Sequence, residues 1–552
     1  MHSNTAIYYH PEAYSMTSPK LMGRNAAGES FLKGFFKYST DAKLWAQVMD
    51  AKHLKNFEDT ARAYGRDEEV KGFDSNNIEV LSQIGTLYYP GPDIAEQAFK
   101  RTLFGDEKWS ICGITHTTSS ARAMDAITSL ITAPVQPWDA VICTSRAVKK
   151  NVEALLQAEV DYLKHRLGIT KIVLPQLPVI PLGIHTKDFK YSAKYKKLSR
   201  KELGIDDNAI AVLYVGRLSF HAKANPFPMY KALQDSTEEI GKKVVLVECG
   251  WFANDYTKNA FKEASRELCP SVEVIRLDGR EAKNRDLAWS CADIFCSFSD
   301  NIQETFGIVP IEAMAAGLPV VVSDWDGYKD TVRDGIDGFR VSTIMPNAGL
   351  GTDLAVRHAL GTDTYDMYCG QNSSLVAVDT ESAAEAFIKL FNSKELRMKM
   401  GKEGKKRAKE VYDWSVIIPQ YEALWKNLHD MREKTLSSKS TKLQHPWPAR
   451  IEPLSAFVAY PTYILNNATE IELTCEYEIA LKKVGIYKNM TINNYVKVTM
   501  LADNEAISVF NRLKNGSKKA IEAVEDINEA RKPYVFRSLV WLMKVGVIRI
   551  KN

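Results

Sequence analysis

Two glutamates and two cations form the first constellation in this sequence that could do chemistry. In SDNIQETFGIVPIEAMAAG (299–317), Glu304 and Glu312 stand with seven residues between them. Phe306-Gly307 predicts a turn and Ile308 the start of a helix. Pro310 is tolerated there, because the first amides of a helix lack partners in any case. Those unpaired amides and the helix dipole make a ready site for an anion such as a diphosphate. Glu304 then sits just before the helix and Glu312 one turn inside it, about 10 Å along the axis by helical rise. Acceptor-only carboxylates so placed can grip two ends of an extended, hydroxyl-rich ligand. Taken alone, such a pair reads as a helix cap and a solvated surface residue, so the neighbouring segments decide.

The first neighbour is YVGRLSFHAKANP (214–226), where a buried strand ends in Gly216 and Arg217 and Lys223 follow in the connecting loop. Arginine offers a fork of donors to phosphate and lysine a mobile point charge. Together they can neutralise the charge that grows on a departing diphosphate. Alone, they are two ordinary surface cations at a strand end.

The elements that must position these residues alternate between short β-branched runs and helical stretches. AVLYVG (211–216), VVLVEC (244–249), VEVIRL (272–277), DIFCSF (293–298) and PVVVS (319–323) predict buried strands, with helix-patterned segments between them. This alternation builds a parallel sheet with helices on both faces. AIYYH (6–10), SICGITH (110–116), AVICTS (140–145) and PVIPLG (178–183) predict strands of a looser first domain, with helices at about 28–36, 92–103, 119–132 and 146–167. The fold class is therefore α/β, with two doubly wound domains over 1–187 and 188–395. Ligands of such sheets bind beyond the carboxyl ends of the strands, which puts a site in the cleft between facing domains. Residues 342–378 read as a long polar loop inserted in the second domain. Residues 396–435 read as crossover helices, and 436–552 as an accessory α+β unit after a Ser/Lys/Thr linker.

At 552 residues the chain exceeds one hydrophobic core. A hydrophobic content of 45%, with a net charge of only +4, implies no global attraction to nucleic acid. From residue 436 onward, 17 Lys and Arg face 11 Asp and Glu, a local +6 that suits an acidic acceptor or a membrane surface. The eight cysteines include no CxxC pair and read as buried reduced thiols. No apolar run is long enough to span a bilayer, and the opening residues lack the pattern of a signal peptide. The expected location is cytoplasmic, with peripheral membrane contact open.

The two site segments resemble the donor site of GT-B retaining glycosyltransferases of family four, the glycosyltransferases group 1. Supporting blocks are WDAVICTSRAVKK (138–150), LPVIPLGIHTKDF (177–189), LAWSCADIFCSFSDNIQETFGIVPIEAMAAGLPVVVSD (287–324) and WSVIIPQYEALWKNL (414–428). The last resembles the family's final helix, which crosses back to the first domain. The resemblance covers about 1–430 and implies two facing Rossmann-like domains. It implies that Arg217 and Lys223 bind the donor phosphates and Glu312 the nucleotide ribose. It assigns the transferred sugar to Glu304 with backbone amides around Phe306 and Gly307, and places His116 of GITHT near the reaction centre. It also places Gly23, Arg24 and Asn25 of LMGRNAAGESFL at the diphosphate and Arg280 of LDGR near the base. The sequence departs from the family in spacing Arg217 and Lys223 six apart rather than five, with Ala224 in place of the usual glycine. It departs also in the insertion, which is expected to cover the acceptor side of the cleft, and in the final unit, where RSLVWLMKVGVIRI resembles the last helix and strand of a winged-helix module.

The function these readings imply is transfer of a sugar, with retention, from a nucleotide diphosphate sugar to a carbohydrate, lipid-linked or protein acceptor. Metal-independent transfer without a cofactor is expected, on the reading that no Asp-x-Asp closes a strand and that fixed cations and helix amides replace a divalent ion. The alternatives are a nucleotide-sugar epimerase using the same diphosphate site, and a non-catalytic partner subunit.

Overall fold

The computed structural model describes residues 4–14, 23–41, 43–435 and 447–551. They fall into two compact units, Met1–Trp447 and Pro448–Asn552.

The first unit holds two six-stranded sheets. In the first sheet β1 (Asn4–Tyr8), β2 (Leu44–Gln47), β3 (Val70–Phe73), β4 (Gly85–Tyr88), β5 (Ser110–Ile114) and β6 (Ala140–Ile142) are ordered 3-2-1-4-5-6, and every pairing is parallel. The second repeats the plan with β7 (Ile210–Val215), β8 (Val244–Gly250), β9 (Glu273–Asp278), β10 (Ile294–Ser297), β11 (Val320–Ser323) and β12 (Gly338–Val341), ordered 9-8-7-10-11-12, again all parallel. Both are the doubly wound order, and two such domains in one unit make the α/β GT-B architecture. Successive strand residues serve opposite faces, as the pleat demands. Ala211 and Leu213 join a core that runs through both domains, while Ile210, Val212 and Tyr214 join the core on the other face. Strands β7, β8, β10 and β11 are buried on both faces, which is why they read as continuous apolar runs.

The helices that bear on the site are α1 (Gly23–Tyr38), α2 (Arg146–Leu167) and α3 (Ile308–Ala316), then α4 (Thr352–Ala359), α5 (Tyr365–Ser373) and α6 (Trp414–Thr435). Helix α6 packs on α1, β4 and β5 of the first domain. Its first residue, Trp414, is fully buried and donates from Nε1 to Ser30 Oγ at 2.8 Å. A Cβ on Gly34 or Gly183 would lie 2.6 or 2.5 Å from the Trp414 ring, so both positions need glycine. Further along α6, Tyr421 and Trp425 are buried against Phe31, Phe35 and Tyr88.

Three expectations are corrected. PVIPLG is no strand: Pro178 and Pro181 withhold ladder donors, and the segment makes only an isolated bridge between Val179 and Cys143. Residues 342–378 are not a loop but a folded hairpin. A two-residue antiparallel pairing of β13 (Thr343–Ile344) with β14 (Ala377–Val378) closes its base, and α4 and α5 fill it. His358 stacks on Tyr368 at 4.1 Å and Arg357 forks onto Asp363 at 2.8 and 2.6 Å. Finally, an Asp-x-Asp does close a strand, for Asp324-Trp325-Asp326 follows β11 directly.

The second unit builds its own core from β15 (Glu470–Leu473), α7 (Tyr477–Lys488), α8 (Asp503–Leu513), β16 (Lys518–Lys519), α9 (Lys532–Lys544) and β17 (Ile548–Ile550). Its three strands pair antiparallel in the order 16-15-17. A last helix followed by a last strand is present as read, in α9 and β17.

Candidate functional site

The site grows from the ends of β7 and β10. After β7 the chain turns at Gly216, whose φ of +153° favours glycine. The loop then folds back on itself, Lys223 N–H donating to the Ser219 carbonyl at 3.1 Å. Arg217 Nη2 donates to the Ala222 carbonyl at 3.0 Å and to Gln303 Oε1 at 2.6 Å. Lys223 Nζ pairs with the Glu304 carboxylate.

After β10 the loop is organised by Asn301. Its side chain donates to the His221 carbonyl at 2.9 Å and accepts from the Gln303 amide at 2.9 Å, while its carbonyl accepts from Trp325 Nε1 at 3.1 Å. Glu304 therefore arrives beside Lys223 on a braced backbone. Burial raises its carboxyl, but the Lys223 charge and hydrogen bond, with the amides of Thr305 and Phe306, outweigh burial and hold it below the usual range. Gly307 follows with φ +83°, and a Cβ there would lie 2.0 Å from the Tyr328 ring, so only glycine lets α3 begin here. The Phe306 ring is fully buried against Tyr412, which leaves only its backbone for a ligand.

The first domain meets this loop directly. Thr305 Oγ1 donates to the His116 carbonyl at 2.6 Å, and Thr144 Oγ1 to the Thr305 carbonyl at 3.4 Å. Arg217, Lys223, Glu304 and the His116 backbone thus converge on one stretch of the cleft. Glu312 lies inside α3 and makes no hydrogen bond among the described residues. Burial pushes its carboxyl up to about 7, opposed by the charge of Arg285. Arg280 folds onto its own Asp278, with contacts of 2.9, 3.2 and 2.6 Å, and is largely exposed. Asn25 is buried in α1 and donates to the Glu12 carbonyl at 2.7 Å. Gly23 and Arg24 open α1, and the Arg24 side chain lies outside the described residues, as do Leu21 and Met22 before it.

Several residues of the site were not singled out from sequence. Asp326 is the one non-glycine residue with positive φ, +41°, among the described residues. Ser145 Oγ, at the start of α2, donates to its Oδ1 at 3.3 Å, and its Oδ2 is buried without a partner. Burial, and secondly the Glu304 charge, push this carboxyl up to about 8. Asp324 turns to Arg340 at 3.2 Å. Among the described residues, no group of three His, Cys, Asp or Glu side chains is placed to hold a metal. Asp330 accepts from the Arg146 amide at 2.7 Å and from its Nε at 2.8 Å, so the start of α2 is already occupied by a carboxylate. The sequence signal for Asp326 was the strand-ending DWDG, which reads as a turn. For Gln303 and Tyr365 no local signal existed.

Residues 196–346 match the family described as glycosyl transferases group 1. That is the stretch that carries Arg217, Lys223, Glu304 and Glu312. Over 151 residues the chain is 31% identical to a phosphatidyl-myo-inositol mannosyltransferase of Mycobacterium leprae, covering 27% of this chain and 30% of that protein. Over 229 residues it is 25% identical to a D-inositol 3-phosphate glycosyltransferase of Corynebacterium glutamicum, covering 41% and 46%. The chain thus spans less than half the length of these curated relatives. Among solved structures, Anabaena HepE in complex with UDP-glucose aligns with 79% of this chain and 100% of its own, at 15% identity and a TM-score of 0.46. No helix among the described residues is long and apolar enough to cross a membrane.

Proposed function

We propose that the protein is a retaining glycosyltransferase that moves a sugar from a nucleotide diphosphate sugar to an acceptor hydroxyl. The observation that carries this reading is the convergence of Arg217, Lys223 and Glu304 at the start of α3, facing the His116 loop. Two cations and a helix start offer a diphosphate its counter-charges, and an ionised Glu304 offers hydroxyls an acceptor. The match of residues 196–346 to glycosyl transferases group 1 supports the same chemistry.

In this mechanism the diphosphate displaces Gln303 from Arg217 and shares Lys223 with Glu304. Glu312 takes the ribose diol, and the transferred sugar lies between Glu304 and His116. The acceptor oxygen attacks the anomeric carbon on the face the phosphate leaves. Its proton passes to the departing phosphate oxygen as the old C–O bond breaks, and the nucleoside diphosphate is released. Arg217 and Lys223 stabilise the charge on that leaving group, with no divalent ion required. The family resemblance supports retention, and the intact set of four charged residues favours a catalyst over an epimerase or a silent subunit.

The test is a thermal-shift screen against UDP-, GDP- and ADP-sugars. One donor at a hundred times its dissociation constant adds about 2.7 kcal/mol of stability. NMR of the first product then shows the donor's anomeric configuration preserved, in the presence of a chelator. An inverted linkage would refute the mechanism, and conversion of donor without acceptor would point to epimerisation.

A further inference from the structure

The folded insertion brings a side chain into the cleft. Thr364 Oγ1 caps α5 by accepting from the Met367 amide at 3.2 Å, which fixes Tyr365 as the first residue of the helix. The Tyr365 hydroxyl lies 2.8 Å from Ser119 Oγ and 3.3 Å from Thr117 Oγ1, both in the first-domain loop that carries His116. Gln303, which accepts from Arg217, is a further neighbour of the Tyr365 hydroxyl. Gly370 of α5 rests on the phosphate loop so closely that a Cβ there would lie 2.9 Å from His221 Cβ.

Four neutral polar groups from three distant parts of the chain therefore meet at one point: Thr117, Ser119, Gln303 and Tyr365. Hydroxyls and an amide can each donate or accept, which suits a polyhydroxylated group and not a phosphate. Their order in space has a direction. The cationic end is Arg217 and Lys223, the neutral end is Tyr365 on Ser119 and Thr117, and Gln303, bonded to Arg217, neighbours Tyr365. A ligand whose diphosphate sits on the cations has its next group directed toward the neutral end.

We propose that Tyr365, delivered by the insertion and oriented by Ser119 and Thr117, is a specificity-determining residue that hydrogen-bonds a hydroxyl of the group carried on the distal phosphate. The inference rests on the donor reading above and deepens it, because it assigns part of sugar selection to residues 342–378. In the free protein the Tyr365 hydroxyl is satisfied by Ser119 and Thr117, and a sugar hydroxyl takes over one of those bonds.

The test compares Tyr365→Phe and Ser119→Ala with the parent protein by calorimetry, using the nucleoside diphosphate and the nucleotide sugar selected by the thermal screen. Tyr365→Phe keeps the ring and its packing. The expected result is unchanged affinity for the nucleoside diphosphate and roughly 5- to 20-fold weaker binding of the nucleotide sugar. Ser119→Ala gives a smaller loss of the same kind. Discrimination between sugars on the same nucleotide falls together with the affinity. Equal weakening of nucleoside diphosphate and nucleotide sugar would overturn the proposal, because Tyr365 would then only brace the phosphate loop. Unchanged sugar affinity in both variants would overturn it as well. Failure of the parent protein to bind any nucleotide or nucleotide sugar would instead refute the donor reading on which it rests.

Discussion

At the scale of the residue, the site is a set of charges already paired with one another. Lys223 and Glu304 satisfy each other, and Arg217 is held by Gln303 and the Ala222 carbonyl. In the proposed mechanism such preorganisation fixes the cations before a diphosphate arrives, which is what transition-state stabilisation requires. On the proposed mechanism Lys223→Ala removes one of the two charges offered to the diphosphate, and it leaves Glu304 without its lysine partner. Turnover is expected to fall by about 10²–10³, while the pH at which Glu304 ionises rises because only the Thr305 and Phe306 amides then oppose burial. A pH–rate profile of the variant checks both. Glu312 differs, since its carboxyl is pushed up to about 7 by burial. In the proposed mechanism the ionised form grips the ribose diol, so donor affinity is expected to rise as pH increases from 6 to 8. Glu312→Gln removes that rise, and titration calorimetry across this range measures it.

At the scale of the element, the site depends on the joint at which the chain returns to the first domain. The Ile184 amide donates to the Tyr412 carbonyl at 2.8 Å, the Trp414 amide to the Ile184 carbonyl at 3.1 Å, and the Trp414 ring fills the space between Gly34 and Gly183. Trp414→Ala empties a fully buried site and is expected to cost about 3–5 kcal/mol, read as a lower urea midpoint. Gly183→Ala overpacks the same joint and costs about 1–3 kcal/mol. The legibility of the elements follows the range of the forces that make them. The 299–317 segment was readable because Gly307, Ile308 and Pro310 specify the turn and helix start locally. Strands β2, β3 and β4 were not read. They are four residues each, LWAQ, VKGF and GTLY, and owe their conformation to neighbours in the sheet. PVIPLG showed the opposite error, an apolar run whose prolines bar it from a ladder. Helix α4 buries no residue and α5 only Cys369 and Ser373, and the Arg357–Asp363 and His358–Tyr368 pairs hold them, so no apolar stripe announced them. The contact of Tyr365 with Ser119 spans 246 residues and has no local signature at all.

At the scale of the whole molecule, buried carboxyls set how stability responds to pH. Burial pushes Asp41, Asp300 and Glu312 up to about 7, and Asp326 to about 8. In the unfolded chain these groups ionise near 4. Between about pH 4 and 8 the folded state therefore binds more protons than the unfolded state, and stability falls as pH rises through that window. Glu304 acts in the opposite sense, since its depressed carboxyl adds stability that is complete above its unfolded value and is lost only on acidification. Above about pH 5 that contribution is constant, so the raised carboxyls govern the slope among these five groups. The urea midpoint is expected to be lower at pH 8 than at pH 6. Asp326→Asn tests the share of one group, because it keeps a neutral side chain of the same shape next to Ser145. The variant should lose part of the decline between pH 6 and 8 and leave the midpoint at pH 6 nearly unchanged. An unaltered slope would mean that Asp326 is already ionised at neutral pH, with its charge available to the cleft beside Glu304.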